Sequence, residues 1–338
     1  MNIAGIGVVF NRGRGVQSLE KALEEGWVPP EDSTYSVPAD TLKDKSVLKE
    51  MRRADDFSKM ACLAAYDAFA DSGLGDGVKS SLGIILASAF GPHVTTFRFL
   101  DEILDYGDAN VSPTIFSHSV HNAAASYIAL ALGARGPTLT VTQFAYSFHQ
   151  ALIIAQAWLR ERRCEYILVG STDQCGTVME YICRQKLRLA EDGKIKPFLF
   201  SQTPYAVPGE GSAFFLVTEG KTEKRYCSVL AQTVGTPDMY LLDSDGMAGD
   251  EKCYLKIAKG GIPVASYTPI FGSMLTVSSF SCAAAALMLK KQRHYASPVQ
   301  DNPFGANICR LTEEKETESV ACVRHNCGIE RSQITLKR

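Results

Sequence analysis

The stretch GPTLTVTQFAYSFHQAL, from Gly136 to Leu152, decides the fold of this 338-residue chain. Its first part, Thr138 to Thr142, alternates β-branched and apolar residues as a strand does. Phe148 to Leu159 is apolar nearly all round, which predicts a buried helix. A side chain at the junction lies at a helix N-terminus, where unpaired N–H groups stabilise a thiolate or an oxyanion. The residue at that junction is Ala145.

Apolar patterns on either side of this stretch predict further strands and helices. Asp56 to Ser72 has apolar residues at helical spacing, and Gly73 is suited to end that helix. Nearly continuous apolar runs predict buried strands at Leu82 to Ala89 and at Tyr166 to Gly170. The alternation of strand, helix and strand predicts an α/β fold with a mostly parallel sheet flanked by helices.

Composition limits the classes of function. Hydrophobic residues make up 46% and charged residues 21%, as in a soluble globular protein, and a net charge of −2 gives no reason to expect a nucleic-acid partner. The opening residues MNIAGIGVVF lack the basic region of a signal peptide, and no apolar run reaches the ~18 residues of a membrane span. We therefore expect a cytoplasmic protein that binds neither nucleic acid nor membrane.

The ten cysteines suggest packing rather than metal binding. Most are scattered through apolar or helical contexts without CxxC spacing, which predicts buried small side chains. The tightest group is Cys322, His325 and Cys327, three possible metal ligands within six residues. No second pair at zinc-finger spacing accompanies them, so we predict no metal site.

The central stretch resembles the β-ketoacyl synthases, condensing enzymes of the thiolase superfamily whose signature reads roughly GPxLxVxTACSSSxxAL. The nucleophilic Cys of that signature falls on Ala145, while Gln143, Phe144 and Tyr146 occupy the positions of its Thr, Ala and following Ser. The resemblance implies a thiolase-like αβαβα layered fold of two related halves. We expect an N-terminal half at residues 1–230 and a shortened C-terminal half at residues 231–338. The matching positions are Gly136, Pro137, Leu139, Val141, Ser147, Ala151 and Leu152.

Other segments extend the resemblance along the chain. Pro208 to Gly211 resembles the family's GEGA segment. The run PVASYTPIFGSMLTVSSF fits the family pattern VSSTKSxxGHxxGAAG, with Thr268 at the Lys and Ser273 at the second catalytic His. No histidine occurs between Gly235 and Gly261, where the family has its first catalytic His. The C-terminal segment CVRHNCGIERSQITLKR resembles the family's NSFGFGGTNASLVFKR and keeps Gly328 of its glycine-rich loop.

The resemblance implies a member without the family's catalytic groups. Active synthases transfer an acyl group from a carrier protein to the Cys and decarboxylate a malonyl unit with two His. Ala145, Thr268 and Ser273 are degenerate positions, so we expect no catalytic residue and no cofactor. The chain then resembles a chain-length factor, a partner subunit of an active β-ketoacyl synthase that works with an acyl-carrier protein in fatty acid or polyketide-type biosynthesis. Alone, it is expected to form a homodimer.

Two alternatives stay open. The chain could be an acyltransferase, or a protein that binds acyl carrier or acyl-CoA and performs different chemistry, with Cys175, His118 or His121 as candidates. It could also be a homodimeric scaffold. Histidines before an alanine-rich helix are more often polar caps than catalysts, and the same holds for His149 in the central helix. The candidates for an acyl pocket or interface are Gln143, Phe144, Tyr146, Phe148, His118 and His121.

Overall fold

A computed structural model describes residues 1–44, 47, 51–203, 205–220, 226–303, 305–326 and 330–338. Cys327 and Gly328, which the sequence singles out, lie outside these residues. The strands are β1 (Asn2–Phe10), β2 (Gly13–Arg14), β3 (Leu82–Ser88), β4 (Thr138–Thr142), β5 (Tyr166–Asp173), β6 (Arg188–Leu189), β7 (Tyr205–Ala206), β8 (Gly211–Thr218), β9 (Cys227–Leu230), β10 (Met239–Leu242), β11 (Val264–Ala265), β12 (Arg293–His294), β13 (Glu313–Glu314), β14 (Ser319–Asn326) and β15 (Glu330–Lys337). The helices are α1 (Val16–Glu25), α2 (Asp56–Ser72), α3 (His93–Tyr106), α4 (Pro113–Ser119), α5 (Ala123–Leu132), α6 (Ser147–Arg160), α7 (Thr177–Lys186), α8 (Glu251–Ala258), α9 (Thr268–Phe271) and α10 (Ser278–Lys291).

Eleven of the described strands form one mixed sheet in the order β11-β10-β14-β15-β9-β1-β8-β5-β3-β4, with β2 paired to β1. Strands β6 and β7 form a separate two-stranded sheet, and so do β12 and β13. In the first half, β3, β4 and β5 are parallel, and β8 runs antiparallel between β5 and β1. In the second half, β10, β11 and β14 are parallel, and β15 runs antiparallel between β14 and β9. Both halves therefore have the same strand order and directions. The predicted parallel arrangement holds for the three neighbouring strands of each half, and the antiparallel β8 and β15 make the sheet mixed.

Two helices lie between the half-sheets. Helix α6 packs on β3 and β5 and also contacts β15, whereas α10 packs on β14 and β15 and also contacts β8 and β1. Side chains on one face of the first half-sheet, such as Ile85 and Val169, join α6 and α10 in one apolar core. Side chains on the opposite face, such as Ile84 and Leu168, join α2 in a second core. The result is the layered thiolase-like arrangement of two related halves.

Helix α2 lies very close to β1 because β1 contains two glycines. A Cβ atom on Gly7 would lie 2.0 Å from the carbonyl oxygen of Ala64, and one on Gly5 would lie 2.1 Å from that of Ala68. Neither distance is compatible with a side chain. As the sequence predicts, α2 spans Asp56–Ser72 and ends at Gly73, which adopts the left-handed conformation with φ 70° and ψ 9°.

The stretch that decides the fold forms the strand and helix predicted for it. Strand β4 covers Thr138–Thr142 and is an edge strand, since β3 is its only partner among the described strands. The prediction that the following helix is buried all round is wrong for one face. Phe148 is buried in the core, but Ile153 is 39% exposed and Ala157 is exposed. This face of α6 is therefore partly open to solvent.

No helix in the described part of the chain combines the length and the apolar character needed to cross a membrane.

Candidate functional site

Ala145 lies at the junction of β4 and α6, where the sequence predicts it. A short 3-10 turn, Phe144–Tyr146, joins the two elements. Phe144 takes a positive φ of 44°, a conformation that residues other than glycine seldom adopt outside turns and functional sites. Its side chain is 60% exposed, whereas Ala145 is 3% exposed. The turn therefore directs a methyl group inward and a phenyl ring outward.

Asp173, at the end of β5, connects this junction to the second half. The Ser147 hydroxyl donates to the carbonyl of Ser88 at 2.8 Å, and the Ser88 hydroxyl donates to the Asp173 carboxylate at 3.0 Å. That carboxylate also accepts the Ala89 N–H at 2.8 Å and both the N–H and the hydroxyl of Thr276, at 3.2 and 2.7 Å. Burial raises the pKa of Asp173, and these hydrogen bonds oppose the rise. The network fixes the ends of β3 and β5 against the second half.

Thr268 and Ser273 are neutral and engaged in hydrogen bonds. Thr268 is 1% exposed, and its hydroxyl lies 3.1 Å from that of Ser266. The Ser273 hydroxyl accepts the Val207 N–H at 3.2 Å, and the Ser273 N–H donates to the Val207 carbonyl at 2.7 Å. Both hydroxyls therefore connect neighbouring segments of backbone or side chain.

A cavity of about 220 Å³ lies beside Ser273, between the loop after β5, helix α7 and the second half. Its lining is mostly apolar. The described residues that line it are Phe90, Asp173, Gln174, Cys175, Met179, Cys183, Leu187, Ala206, Pro208, Gly209, Asp245, Met247, Ser273, Met274 and Leu275.

One wall of the cavity carries buried charge. The side chain of Asp245 is 34% exposed and accepts a hydrogen bond at 2.5 Å from the guanidinium of Arg324, whose side chain is 1% exposed. Asp243, also buried, accepts a hydrogen bond from the Ser281 hydroxyl through one carboxylate oxygen. Its other oxygen is buried and has no hydrogen-bond partner in the part of the chain that the structure describes. Burial raises the pKa of Asp243 to about 6, although Ser281 and Arg324 oppose the rise.

Sequence reasoning missed this charged group. Two signals were present: an arginine inside the apolar segment that forms β14, and two acidic residues, Asp243 and Asp245, directly after the apolar segment that forms β10. Charged residues are almost never fully buried unless they are paired. An arginine in a buried strand therefore indicates a carboxylate partner elsewhere in the chain.

Cys175 lines the cavity but is a poor nucleophile. Burial raises its pKa to about 12, and the nearby Glu210 carboxylate raises it further. The same carboxylate accepts the Cys175 N–H at 3.1 Å, which holds the negative charge near the thiol. Because the thiolate is the reactive form, this environment disfavours covalent chemistry at Cys175 at neutral pH.

The three histidines that the sequence singles out are not among the described residues that line the cavity. His118 is 8% exposed, and its Nε2 lies 2.6 Å from the Tyr127 hydroxyl. His121 is exposed, with its ring against the backbone of Gly91. Burial lowers the pKa of His149, and hydrogen bonds to backbone groups of the second half oppose the change. The structure thus places these histidines apart from the cavity.

The four pocket candidates of the central stretch divide between core and surface. Phe148 packs against Phe215 in the core, with ring centroids 5.6 Å apart, and Tyr146 is also buried. Gln143 and Phe144 are exposed. Phe144 contacts the described cavity lining, since its ring centroid lies 5.7 Å from that of Phe90 in an edge-to-face arrangement.

Cys322 and His325 do not form a metal site with each other. They are three residues apart on β14, so their side chains point to opposite faces of the sheet. Cys322 is buried in the core, and His325 packs edge-on against Tyr254 at 5.2 Å between ring centroids. Within the described ranges, no group of three or more His, Cys, Asp or Glu side chains is placed to hold a metal ion.

Comparison with known proteins agrees with this geometry. The model of the β-ketoacyl synthase N-terminal domain matches residues 2–223. The chain is similar to the granaticin polyketide putative β-ketoacyl synthase 1 of Streptomyces violaceoruber, at 22% identity over 361 residues, covering 96% of this chain and 86% of that protein. Solved structures give the same result for the fold. The chain is similar to the ishigamide ketosynthase/chain length factor, with a TM-score of 0.81, 14% identity and coverage of 99% and 98% of the two chains. It is also similar to a type II polyketide synthase structure, an acyl-carrier protein in complex with its ketosynthase bound to the hexaketide, with a TM-score of 0.80, 15% identity and coverage of 99% and 98%. The family model matches residues 2–223, and the strand-to-helix junction lies between two related half-sheets. The chain therefore belongs to the β-ketoacyl synthase family.

Proposed function

We propose that this chain is a catalytically inactive β-ketoacyl synthase homologue that serves as a chain-length-factor-like partner subunit of an active ketosynthase, in fatty acid or polyketide-type biosynthesis. The observation that carries the proposal is the buried methyl group of Ala145 at the start of α6. A methyl group cannot be acylated. Thr268 and Ser273, at the family's Lys and second His positions, offer no acid or base with a pKa near neutrality.

The surface around the same junction supports the partner role. Strand β4 has an open edge, and unpaired strand edges readily pair with another chain. Leu139 on β4, Phe144 after it and Ile153 on α6 are 36%, 60% and 39% exposed. Large apolar side chains exposed beside an open strand edge are typical of an interface, and an obligate one buries ~2,000 Å² or more.

Aromatic side chains link this surface to the cavity. Phe144 lies edge-on to Phe90, Phe90 to His93 and His93 to Phe97, with centroid distances of 5.7, 6.1 and 6.3 Å. Phe90 lines the cavity, and Phe97 is 36% exposed. A partner that covers Phe144 would therefore contact a ring next to the cavity wall.

The catalytic part of the proposal is tested with acyl thioesters. We expect the purified chain to form no acyl-enzyme with acyl-carrier thioesters and to release no CO₂ from malonyl thioesters, measured by intact mass and by CO₂ capture. Ala145→Cys alone should not restore condensation, because the partner groups stay neutral. In a hydrolase, losing the nucleophile alone costs on the order of 10⁶ in kcat, and the partners act with it as a unit. Condensation by either protein at the rate of an active synthase would contradict inactivity.

The partner role is tested by co-expression with the β-ketoacyl synthases and acyl-carrier proteins of the source organism. We expect a stable complex with one synthase by affinity purification and native mass spectrometry, and a homodimer when the chain is expressed alone. A well-folded monomer at micromolar concentration, unchanged by every co-expressed synthase, would contradict both the partner role and a homodimeric scaffold.

A further inference from the structure

The size of the cavity limits its ligand to a small molecule. A cavity of about 150 Å³ holds the six carbons of benzene, so the 220 Å³ beside Ser273 corresponds to about nine non-hydrogen atoms. Most of the wall is apolar, and it includes Phe90, Met179, Leu187 and Met274. Such a wall favours a short alkyl or aryl group.

The polar part of the wall presents oxygen acceptors. One carboxylate oxygen of Asp245 accepts from Arg324, and its other oxygen makes no hydrogen bond within the described residues. The side-chain amide oxygen of Gln174 is buried, and no described residue donates a hydrogen bond to it. The carboxylate of Asp173 already accepts four hydrogen bonds. A ligand that satisfies this wall must therefore donate hydrogen bonds to Asp245.

The charges around the cavity also favour a ligand that donates hydrogen bonds. The described lining residues include two aspartates, Asp173 and Asp245, and no Lys, Arg or His. Arg324 is the cation next to this wall, and it is already paired with Asp245 while interacting with Asp243. Acidic groups thus outnumber the neighbouring cation. A cleft lined by one sign of charge attracts ligands of the opposite sign and disfavours those of the same sign.

We propose that the cavity binds a small apolar molecule carrying a protonated amine, with Asp245 as the carboxylate that receives the amine. The apolar body lies against Phe90, Met179 and Met274, and the ammonium group stays at the partly exposed carboxylate. A ligand carboxylate would face Asp245 with like charge and is excluded. The inference concerns this chain's own cavity, and it holds whether or not the chain is a partner subunit.

Octylamine, octanamide and octanoate test the proposal because they share an eight-carbon chain and differ in the charge of the head group. Titration calorimetry with the purified full chain near neutral pH should give an affinity for octylamine about tenfold or more above that for octanoate, with octanamide between them. Octanoate or octanamide binding as tightly as octylamine would overturn the proposal, as would the absence of binding by all three.

Single substitutions test whether these compounds bind in this cavity. Asp245→Asn should lower the affinity for octylamine to about that for octanamide, while leaving the affinity for octanamide unchanged. Cys183→Phe fills the cavity and should abolish binding of all three compounds. Asp301→Asn removes an exposed carboxylate that is not part of the described lining and should change nothing. Octylamine binding that survives Asp245→Asn or Cys183→Phe unchanged would place the ligand elsewhere and overturn the assignment.

Asp245 also pairs with the buried Arg324, so a second variant guards against misfolding. Arg324 also interacts with Asp243, so Asp245→Asn is combined with both Arg324→Met and Asp243→Asn. Replacing a whole buried charged group is commonly neutral or stabilising. This triple variant should lose the preference for octylamine over octanamide. A retained preference would overturn the role of Asp245, because no charge at that position would remain to explain it.

Discussion

Among single residues, Asp243 makes the stability of the fold depend on pH. Burial raises its pKa from the usual 3.8 to about 6, so the folded state holds this proton more tightly than the unfolded state does. The stability that Asp243 contributes is therefore fully present below about pH 4 and is lost as the pH rises through about 6. Above that pH the fold retains a buried, incompletely bonded carboxylate.

Replacing Asp243 by its neutral isostere should reverse this loss. We predict that Asp243→Asn is more stable than the wild type at about pH 7.5, by up to ~3 kcal/mol, and that the difference disappears near pH 4. Urea unfolding across that range measures the effect. Asp301→Asn, at an exposed aspartate, is the control and should show no such trend. A difference for Asp243→Asn that stays constant with pH would show that its ionisation is not the cause.

Some residues of the site could be predicted from the sequence, and others could not. The inward-facing Ala145 could be placed from a local strand-to-helix pattern, because all the relevant residues are adjacent in the chain. The bonds of Asp173 to Thr276 and of Asp245 to Arg324 join residues 103 and 79 positions apart. No local periodicity reports such pairs. The charged wall of the cavity could therefore be described only from the fold.

Among the secondary-structure elements, the β1–α2 contact depends on glycine. A methyl group at Gly7 would collide with the backbone of α2, at 2.0 Å from the Ala64 oxygen and 2.5 Å from the Ala68 nitrogen. We predict that Gly7→Ala destabilises the protein by ~3 kcal/mol or more, or prevents folding, because backbone atoms cannot move aside as side chains do. Thermal or urea unfolding measures this loss.

Gly75 offers a matched control for that substitution. Its φ is −82°, and a Cβ atom there would meet no atom within 4 Å. Gly75→Ala should therefore leave the stability unchanged or raise it by a few tenths of a kcal/mol through the unfolded state. Equal effects of the two substitutions would contradict the close approach of α2 to β1.

The elements predicted best from the sequence are those with a strong local pattern. The apolar spacing of α2 and its terminal Gly73 gave both ends of that helix, and the β-branched alternation of β4 gave its bounds. The exposure of one face of α6 was not predicted, because an apolar helix has the same sequence pattern whether it packs against its own chain or against a second one. Periodicity indicates which residues avoid water, and it does not indicate which surface covers them.

The open edge of β4 gives a prediction about association. Thr140→Arg places a long charged side chain at the centre of that edge, and we predict monomer or insoluble protein in place of a dimer, because an unpaired charge would be buried in the contact. Analytical ultracentrifugation measures the change. Leu311→Arg is the control, since Leu311 is 68% exposed and lies in the second half, away from β4. A Thr140→Arg dimer as stable as the wild type would exclude β4 from the interface.

For the whole molecule, the two halves share one core. The cluster that contains α6 also contains α10 and side chains from β14 and β15, so each half covers apolar surface of the other. We predict a single cooperative unfolding transition for the full chain and an unfolded or aggregated product for the isolated fragment 1–230. Calorimetry and circular dichroism test both statements. A soluble, cooperatively folded fragment 1–230 would show that the halves are independent domains.

The two ends of the long sheet differ, and this sets how many copies can join. The outer edge of β11 is short, and the segment after Asn307 covers it: the Val264 N–H donates to the Asn307 carbonyl at 2.8 Å, and the Cys309 N–H donates to the Val264 carbonyl at 2.9 Å. Among the described residues, the long sheet thus has its free edge at β4. When a strand edge pairs with the same edge of a second chain about a twofold axis, its backbone hydrogen-bonding groups are all paired with that one partner. We therefore expect growth by strand addition through the long sheet to stop at two chains.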